Sequence, residues 1–259
     1  MNNRQRRVVR QILPWVVTLG LLVLWELACR VLHVAEFILP PPSAIGAAMV
    51  QYHTVILDNA LWTLLTTALG FGLAMICGVL LGLAIGASRL VYSGLYPVLI
   101  GFNSIPKVAL VPVFVIWFGI GTVPAIITAF SIAFFPITVN IATGLATIEP
   151  EMRDVLRSLG ANRWEILTKV GLPRSMPYLF ASLKIAITLA FIGSVISETV
   201  ASNIGIGYLM LSASSRFEVP LVFAGLLIVG AMGVGMYAVC VFFEHRMTRW
   251  AFRSQDLIS

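Results

Sequence analysis

The sequence predicts an all-α polytopic membrane protein with six transmembrane helices, and three observations carry that class. Apolar residues make up 59% of the 259 positions and charged residues only 11%, against roughly 25% charge in ordinary soluble domains. The apolar residues fall into runs long enough to cross a bilayer, which takes about 20 helical residues at 1.5 Å each. The Lys and Arg residues gather between those runs in a way that assigns sides. The chain reads as one membrane domain. Its net charge of +6 comes from scattered residues without an aromatic-interleaved patch, so the bilayer is the expected partner and nucleic acid is not. Cys29, Cys77 and Cys240 lie far apart without CxxC spacing, which suggests neither a disulfide framework nor a metal site.

Residues 1–11 carry Arg4, Arg6, Arg7 and Arg10 ahead of an apolar run. No small-residue cleavage site follows at a usual distance, and Trp25 and Glu26 interrupt the run, so a retained first span at about 12–32 is expected rather than a signal peptide. Leu39-Pro40-Pro41-Pro42-Ser43 must be extended, because proline lacks an amide hydrogen and restricts its predecessor. Residues 33–60 therefore read as an outside loop, with a short surface helix from Ser43 to about Tyr52. The second span, about 61–88, carries Gly78, Gly82 and Gly86 at every fourth position. That spacing puts them on one helix face, where a second helix can approach closely.

Pro97, Asn103, Pro106, Lys107 and Pro112 interrupt the next apolar run. One broken span at 92–118 and two short spans are both conceivable, and the charge ledger chooses the first. A single broken span, then a turn at Gly119–Pro124 and a span at 124–147, puts the charged loop at 149–176 on the same side as the N-terminus. Spans at 177–200 and 220–243 follow, and the tail 244–259 returns to that side with Arg246, Arg249 and Arg253. Of the 17 Lys and Arg residues, only Arg30 and Arg216 then border the outside, as the positive-inside bias demands of a chain with both termini cytoplasmic.

The loop reads as two short helices. Pro150 suits a first helical position, and Glu149, Glu151 and Asp154 favour the positive end of a helix dipole. Gly160 should end the first helix. Asn162 and Glu165 form a capping box for the second, which Leu172-Pro173 ends. On the first helix Val155, Leu156 and Leu159 share one side and Arg153 and Arg157 another. Such a ridge either docks in a protein groove or lies on headgroups.

This loop resembles the EAA loop of permeases in binding-protein-dependent ABC importers. That pattern is a Glu-Ala-Ala triplet, a glycine four residues after it and an Ile-x-Leu-Pro end nine residues further. Here the glycine is Gly160 and the end is Val170-Gly171-Leu172-Pro173, while Asp154-Val155-Leu156 occupies the triplet and departs from it. Ile105-Pro106-Lys107, Trp117-Phe118-Gly119 and Glu198 followed by Gly205-Ile206-Gly207-Tyr208-Leu209 are similar to the nitrate, sulfonate and taurine branch. The resemblance implies a type I importer permease fold in the bacterial inner membrane and a second permease copy. It also implies ABC ATPase subunits docked through Asp154, Val155, Leu156, Leu159, Gly160, Ala161, Leu172 and Pro173, and an extracytoplasmic substrate-binding protein. The implied cargo is a small anion or organic solute such as an alkanesulfonate, taurine or nitrate. The chain contains no GxxxxGK[ST] phosphate loop, so ATP and Mg are expected on the partner ATPase, with no cofactor or catalytic residue on this chain.

Polar groups inside the spans are the remaining candidates. Glu26 and Glu198 cost about 2.5 kcal/mol or more near a bilayer centre and need partners. For Glu198 the expected donors are Ser197, Thr199, Ser202 and Asn203, in a gate or helix-packing role or in contact with substrate; Glu26 reads as an interfacial or inter-helix contact. Lys107, beside Asn103 and Ser104 at a helix break, either faces a small anion or snorkels toward the cytoplasm. A competing function, an ion-coupled secondary transporter, would use Glu26, Glu198 and Lys107 as a charge relay. No HExxH or GxSxG motif supports an intramembrane enzyme.

Overall fold

The computed structural model describes residues 3–146 and 150–247. Expectations resting on Glu149, on the side chains of Arg4, Arg6, Arg7, Arg10, Arg153 and Arg163, and on the tail beyond 247 with Arg249 and Arg253 lie outside the described residues. Among the described residues every regular element is a helix: α1 (Asn3–Val31), α2 (Pro42–Gln51), α3 (His53–Gly86), α4 (Arg89–Asn103), α5 (Val111–Phe118), α6 (Thr122–Ala146), α7 (Pro150–Ser158), α8 (Arg163–Ile166), α9 (Leu172–Ala201), α10 (Ile206–Ser215) and α11 (Val219–Met247). A 3-10 turn, Lys107–Leu110, leads into α5, and a π-helical turn, Leu167–Gly171, joins α8 to α9. Among the described residues five helices are long and apolar enough to cross a membrane, and α4 and α5, bent by 71° at their break, make a sixth if the pair is one span.

The centre of the bundle is the contact of α3 with α6. A Cβ added at Gly70 would lie 2.7 Å from the Ile126 carbonyl oxygen, one at Gly82 2.9 Å from that of Thr138, and one at Gly86 2.7 Å from Leu145 Cβ. Gly78 faces Ile137 in the same way, and fully buried Ala74 fills the gap in the repeat. Positions 70, 74, 78, 82 and 86 thus form one stripe of small residues, and van der Waals packing through such a stripe is what holds helices together in lipid. Gly72 points away, with nothing near it.

The same pairs fix the direction of the chain. Residue numbers on both helices rise together, so α3 and α6 run parallel. The chain must therefore return from the level of Gly86 to that of Thr122, about 35 Å along the axis at 1.5 Å per residue. One crossing by the α4–α5 pair does this, and two separate crossings would not. The break has local causes. Pro106 has no amide hydrogen to continue the helix, and the Lys107 turn after it redirects the chain. Gly119 (φ +78°) and Gly121 (φ +140°) then turn α5 into α6 with backbone angles that L side chains rarely adopt. The Gly121 N–H bonds the Ala201 carbonyl at 3.0 Å.

Antiparallel α9 completes the core against α6, with Gly193 facing Ile132 and Gly144 facing Ser175 and Tyr178. At the far end from α7, Ile45 of α2, Ile56 and Ala60 of α3, Ile206, Leu209 and Ala213 of α10, and Leu221 and Ala224 of α11 form a second apolar cluster.

Two expectations are corrected. The second helix starts at His53, well before 61, because polar His53, Asp58 and Asn59 sit in its first two turns without interrupting the backbone bonds. The second loop helix does not end at Leu172-Pro173. It runs without a break from Trp164 to Ala201, because the π turn before Pro173 widens the backbone where the proline ring meets the preceding turn and no donor is available.

Gly82→Val is expected to destabilise the bundle by about 1–3 kcal/mol, the usual cost of overpacking. Gly72→Val, on the open face, should change stability by less than about 0.5 kcal/mol. Thermal unfolding of the two purified variants in detergent checks the contrast; equal losses would contradict the packing described.

Candidate functional site

The loop between α6 and α9 is closed by two caps. The Gly160 N–H bonds the Arg157 carbonyl at 2.9 Å and the Ala161 N–H bonds the Leu156 carbonyl at 3.0 Å. This pair of bonds is a Schellman closure, with Gly160 at φ +86° supplying the left-handed residue. Two residues on, the Glu165 N–H bonds Asn162 Oδ1 at 2.8 Å and the Asn162 N–H bonds Glu165 Oε2 at 2.9 Å, a complete capping box. Glu165 Oε1 also lies 3.8 Å from Lys169 Nζ. The Arg174 guanidinium reaches Met152 Sδ at 3.3 Å and ties α7 to the start of α9.

These caps leave apolar side chains in solvent. Leu159 is 78% exposed, Trp164 70% and Val155 58%. Asp154 and Gly160 are exposed, and Leu156 and Ala161 half-buried. Leu156, Leu159, Gly160, Ala161, Ile166 and Val170 line a groove of about 280 Å³, with Glu165 and Lys169 also in its wall. Leu172 and Pro173, expected with this group, sit half-buried in the first turn of α9 and do not line the groove. Trp164, the largest exposed side chain here, was legible as the aromatic following the second helix's first residue.

Asn103, Ser104 and Lys107 come together at the bend of the broken span. Lys107 Nζ donates to the Asn103 carbonyl and, at 3.0 Å, to Asn103 Oδ1, and it lies 4.8 Å from the centre of the Phe135 ring. Asn103 and Ser104 are exposed and Lys107 half-buried. Glu198 is elsewhere and only 1% exposed. Its Oε2 accepts the Thr63 hydroxyl at 2.8 Å and the Gly207 N–H at 3.1 Å, while Thr66 lies 3.3 Å from Oε1 and 2.6 Å from Ser194 Oγ.

The donors expected for Glu198 are therefore wrong. Thr199 bonds the Ile196 carbonyl, and Ser202 bonds within its own turn to Ile204. Neighbouring residues on a helix point in different directions, whereas residues four apart share a face, which is why Ser194 is near. The informative sequence signal was the polar stripe Asn59, Thr63, Thr66 at helical spacing in α3. Glu26 holds the start of α2. Its Oε2 accepts the Ser43 N–H at 3.0 Å, its Oε1 the Ser43 hydroxyl at 2.7 Å, and Arg30 pairs with it at 2.6 Å. A further pair, Lys184 with Glu244 at 2.7 Å, joins α9 to α11 and was not anticipated. Glu26, Glu198 and Lys107 bond to three separate sets of partners, so they form no charge relay among the described residues.

Comparison with known proteins agrees with this architecture. The family model of the binding-protein-dependent transport system inner membrane component matches residues 74–249. A probable ABC transporter permease protein of Haemophilus influenzae is 30% identical over 92% of this chain and 97% of its own length. The formylaminopyrimidine transport permease protein ThiX of Halalkalibacterium halodurans is 28% identical over 95% and 98%. The taurine permease TauC of Escherichia coli and the putative aliphatic sulfonates permease SsuC of Bacillus subtilis are each 26% identical, over 93% and 89% of this chain and 90% and 84% of their own lengths. Among solved structures, an inward-facing MetNI methionine ABC transporter chain superimposes with a TM-score of 0.67 at 17% identity, covering 76% of this chain and 98% of that one, a likeness of fold. The chain, six spans around the α3–α6 contact with a capped helical loop at one end, belongs to the family of inner-membrane permease components of binding-protein-dependent ABC importers.

Proposed function

We propose that the loop at 150–174 is the coupling element of this permease, facing the cytoplasm with both chain termini and docking a separate ATP-hydrolysing subunit. The observation that carries the reading is the joint capping and exposure of this segment. Two capped helices hold Val155, Leu159 and Trp164 in solvent, and the second continues as one helix into the core. From Trp164 to Ala201 that helix has 38 residues, about 57 Å at 1.5 Å per residue. A partner that grips the groove moves a rod that packs along α6 from Ser175 to Ala201 and meets α3 at Thr63 and Thr66. Closure of two ATPases on ATP would then draw two such loops together and reorient the spans above them, in a pair formed with a second copy of this chain. Asp154, Val155, Leu156, Leu159, Gly160 and Ala161 form or flank the contact surface, while Leu172 and Pro173 transmit its motion.

The cargo is a small anion or organic solute of the alkanesulfonate, taurine or nitrate kind, delivered from outside by a binding protein. The names of relatives support this range, and the formylaminopyrimidine permease widens it to small heterocycles. Exposed Asn103 and Ser104, with the Lys107 ammonium behind them, are the groups on the translocation path suited to an anion. The burial of Glu198 and its bonds to Thr63 and Gly207 favour a helix-packing role over contact with the cargo.

Gly160→Val should prevent ATPase association, because a β-branched residue at φ +86° breaks the Schellman closure at about 1–2 kcal/mol. Gly160→Asn, which tolerates that conformation, should retain most of it. Co-purification with a co-expressed ATPase subunit of the same importer reads the difference, and undiminished capture by Gly160→Val would refute the role of the loop. Leu159→Glu should cut the same capture at least tenfold, about 1.4 kcal/mol, while leaving membrane insertion unchanged. Orientation is checked independently: a cysteine at Ser158 should react with a membrane-impermeant maleimide only in inverted vesicles, and one at Ser215 only in right-side-out vesicles.

A further inference from the structure

Helix α10 begins without a cap of its own. The residue before it is Gly205, which has no side chain to offer, and the first amides of any helix lack partners within it. Three consecutive N–H groups at this start are nevertheless bonded by side chains from other helices. The Gly205 N–H bonds Asn59 Oδ1 at 2.7 Å, the Ile206 N–H bonds Thr63 Oγ at 2.8 Å, and the Gly207 N–H bonds Glu198 Oε2 at 3.1 Å. Two of these partners come from α3 and one from α9. The carboxylate also lies where the helix dipole is positive.

The two glycines make that approach possible. A Cβ on Gly205 would lie 2.3 Å from Glu198 Cδ, and one on Gly207 would lie 2.3 Å from the Val195 carbonyl oxygen. Gly205 also holds φ +112°. Steric room, backbone angle and hydrogen bonds therefore converge on one arrangement.

We infer that Glu198, with Asn59 and Thr63, is a positioning residue that fastens the start of α10 to α3 and α9, so that α10 travels with them as one block through the transport cycle instead of opening as a separate outer gate. Detaching α10 would leave three amides and a carboxylate without partners in a buried site. The cost of unpaired buried polar groups opposes that motion far more than a rigid displacement of the block.

The role is capping and not charge transfer, which Glu198→Gln separates. A glutamine carbonyl in the place of Oε2 accepts the same two donors, and its amide NH2 faces Thr66 Oγ, whose own proton has the Thr63 carbonyl at 3.0 Å. The experiment is hydrogen–deuterium exchange of peptides spanning 202–210 in the permease purified with its ATPase, nucleotide-free and after trapping with ATP, Mg and vanadate. Gly205, Ile206 and Gly207 amides should be protected to the same degree in both states. Glu198→Gln should exchange within about twofold of the parent and Glu198→Ala at least about tenfold faster, as loss of a charge-assisted bond implies. Should Glu198→Ala fail to accumulate, Asn59→Ala at a half-buried position reads the same loss at Gly205. Protection that disappears on trapping, or a Glu198→Gln variant that exchanges like Glu198→Ala, would overturn the inference. Co-purification of the ATPase tests the coupling role separately, and without it the comparison of nucleotide-free variants still decides the capping.

Discussion

Helices α3 and α6 can touch backbone to backbone because positions 70, 74, 78, 82 and 86 carry nothing larger than a methyl group. In lipid there is no hydrophobic gain from pressing two apolar helices together, so close packing of this kind must supply the cohesion. The contact also sets a register. It makes the two helices parallel, obliges the intervening chain to cross once, and leaves another face of α6 for α9, where Gly144 of α6 meets Ser175 and Tyr178 and Gly193 of α9 meets Ile132. The bend at Pro106 and the glycine turn at 119–121 are consequences of that return path.

A second constraint concerns polar groups. Both span glutamates are spent on short helices at the end of the bundle opposite α7: Glu26 takes the Ser43 amide at the start of α2, and Glu198 takes the Gly207 amide at the start of α10. Both helices then pack against α11 in one cluster, Ile45 of α2 and Ile206 and Leu209 of α10 with Leu221 of α11. Each carboxylate thereby meets donors in place of water, and each helix start meets an acceptor that its own sequence does not provide. At the opposite end Lys184 and Glu244 satisfy each other across α9 and α11. Glu198, the most deeply buried charge among the described residues, has its carboxylate engaged by the Thr63 hydroxyl and the Gly207 amide.

The loop is closed by local caps and joined to the core without a break. Gly160 closes α7, Asn162 and Glu165 open α8, and the π turn at Leu167–Gly171 lets the helix run past Pro173 into the core. One helix thus reaches from Trp164 in the exposed loop to Ser194 beside Thr66 in the core.

Much of this was legible in one dimension. Apolar runs and the distribution of Lys and Arg determined the class, the number of crossings and the pairing of the loop with the N-terminal side, because burial in lipid and the positive-inside bias act on local composition. Gly160 and the Asn162/Glu165 box were readable for the same reason: capping involves residues within four positions of each other. The glycine repeat announced a close contact but not its partner, since α6 presents ordinary side chains. What only the tertiary structure decided are the interactions between distant residues. Glu198 finds Asn59's neighbours Thr63 and Thr66 across more than a hundred positions, Lys184 finds Glu244, and Pro173 is tolerated within a helix, because three-dimensional proximity and backbone register, not spacing along the chain, select those partners.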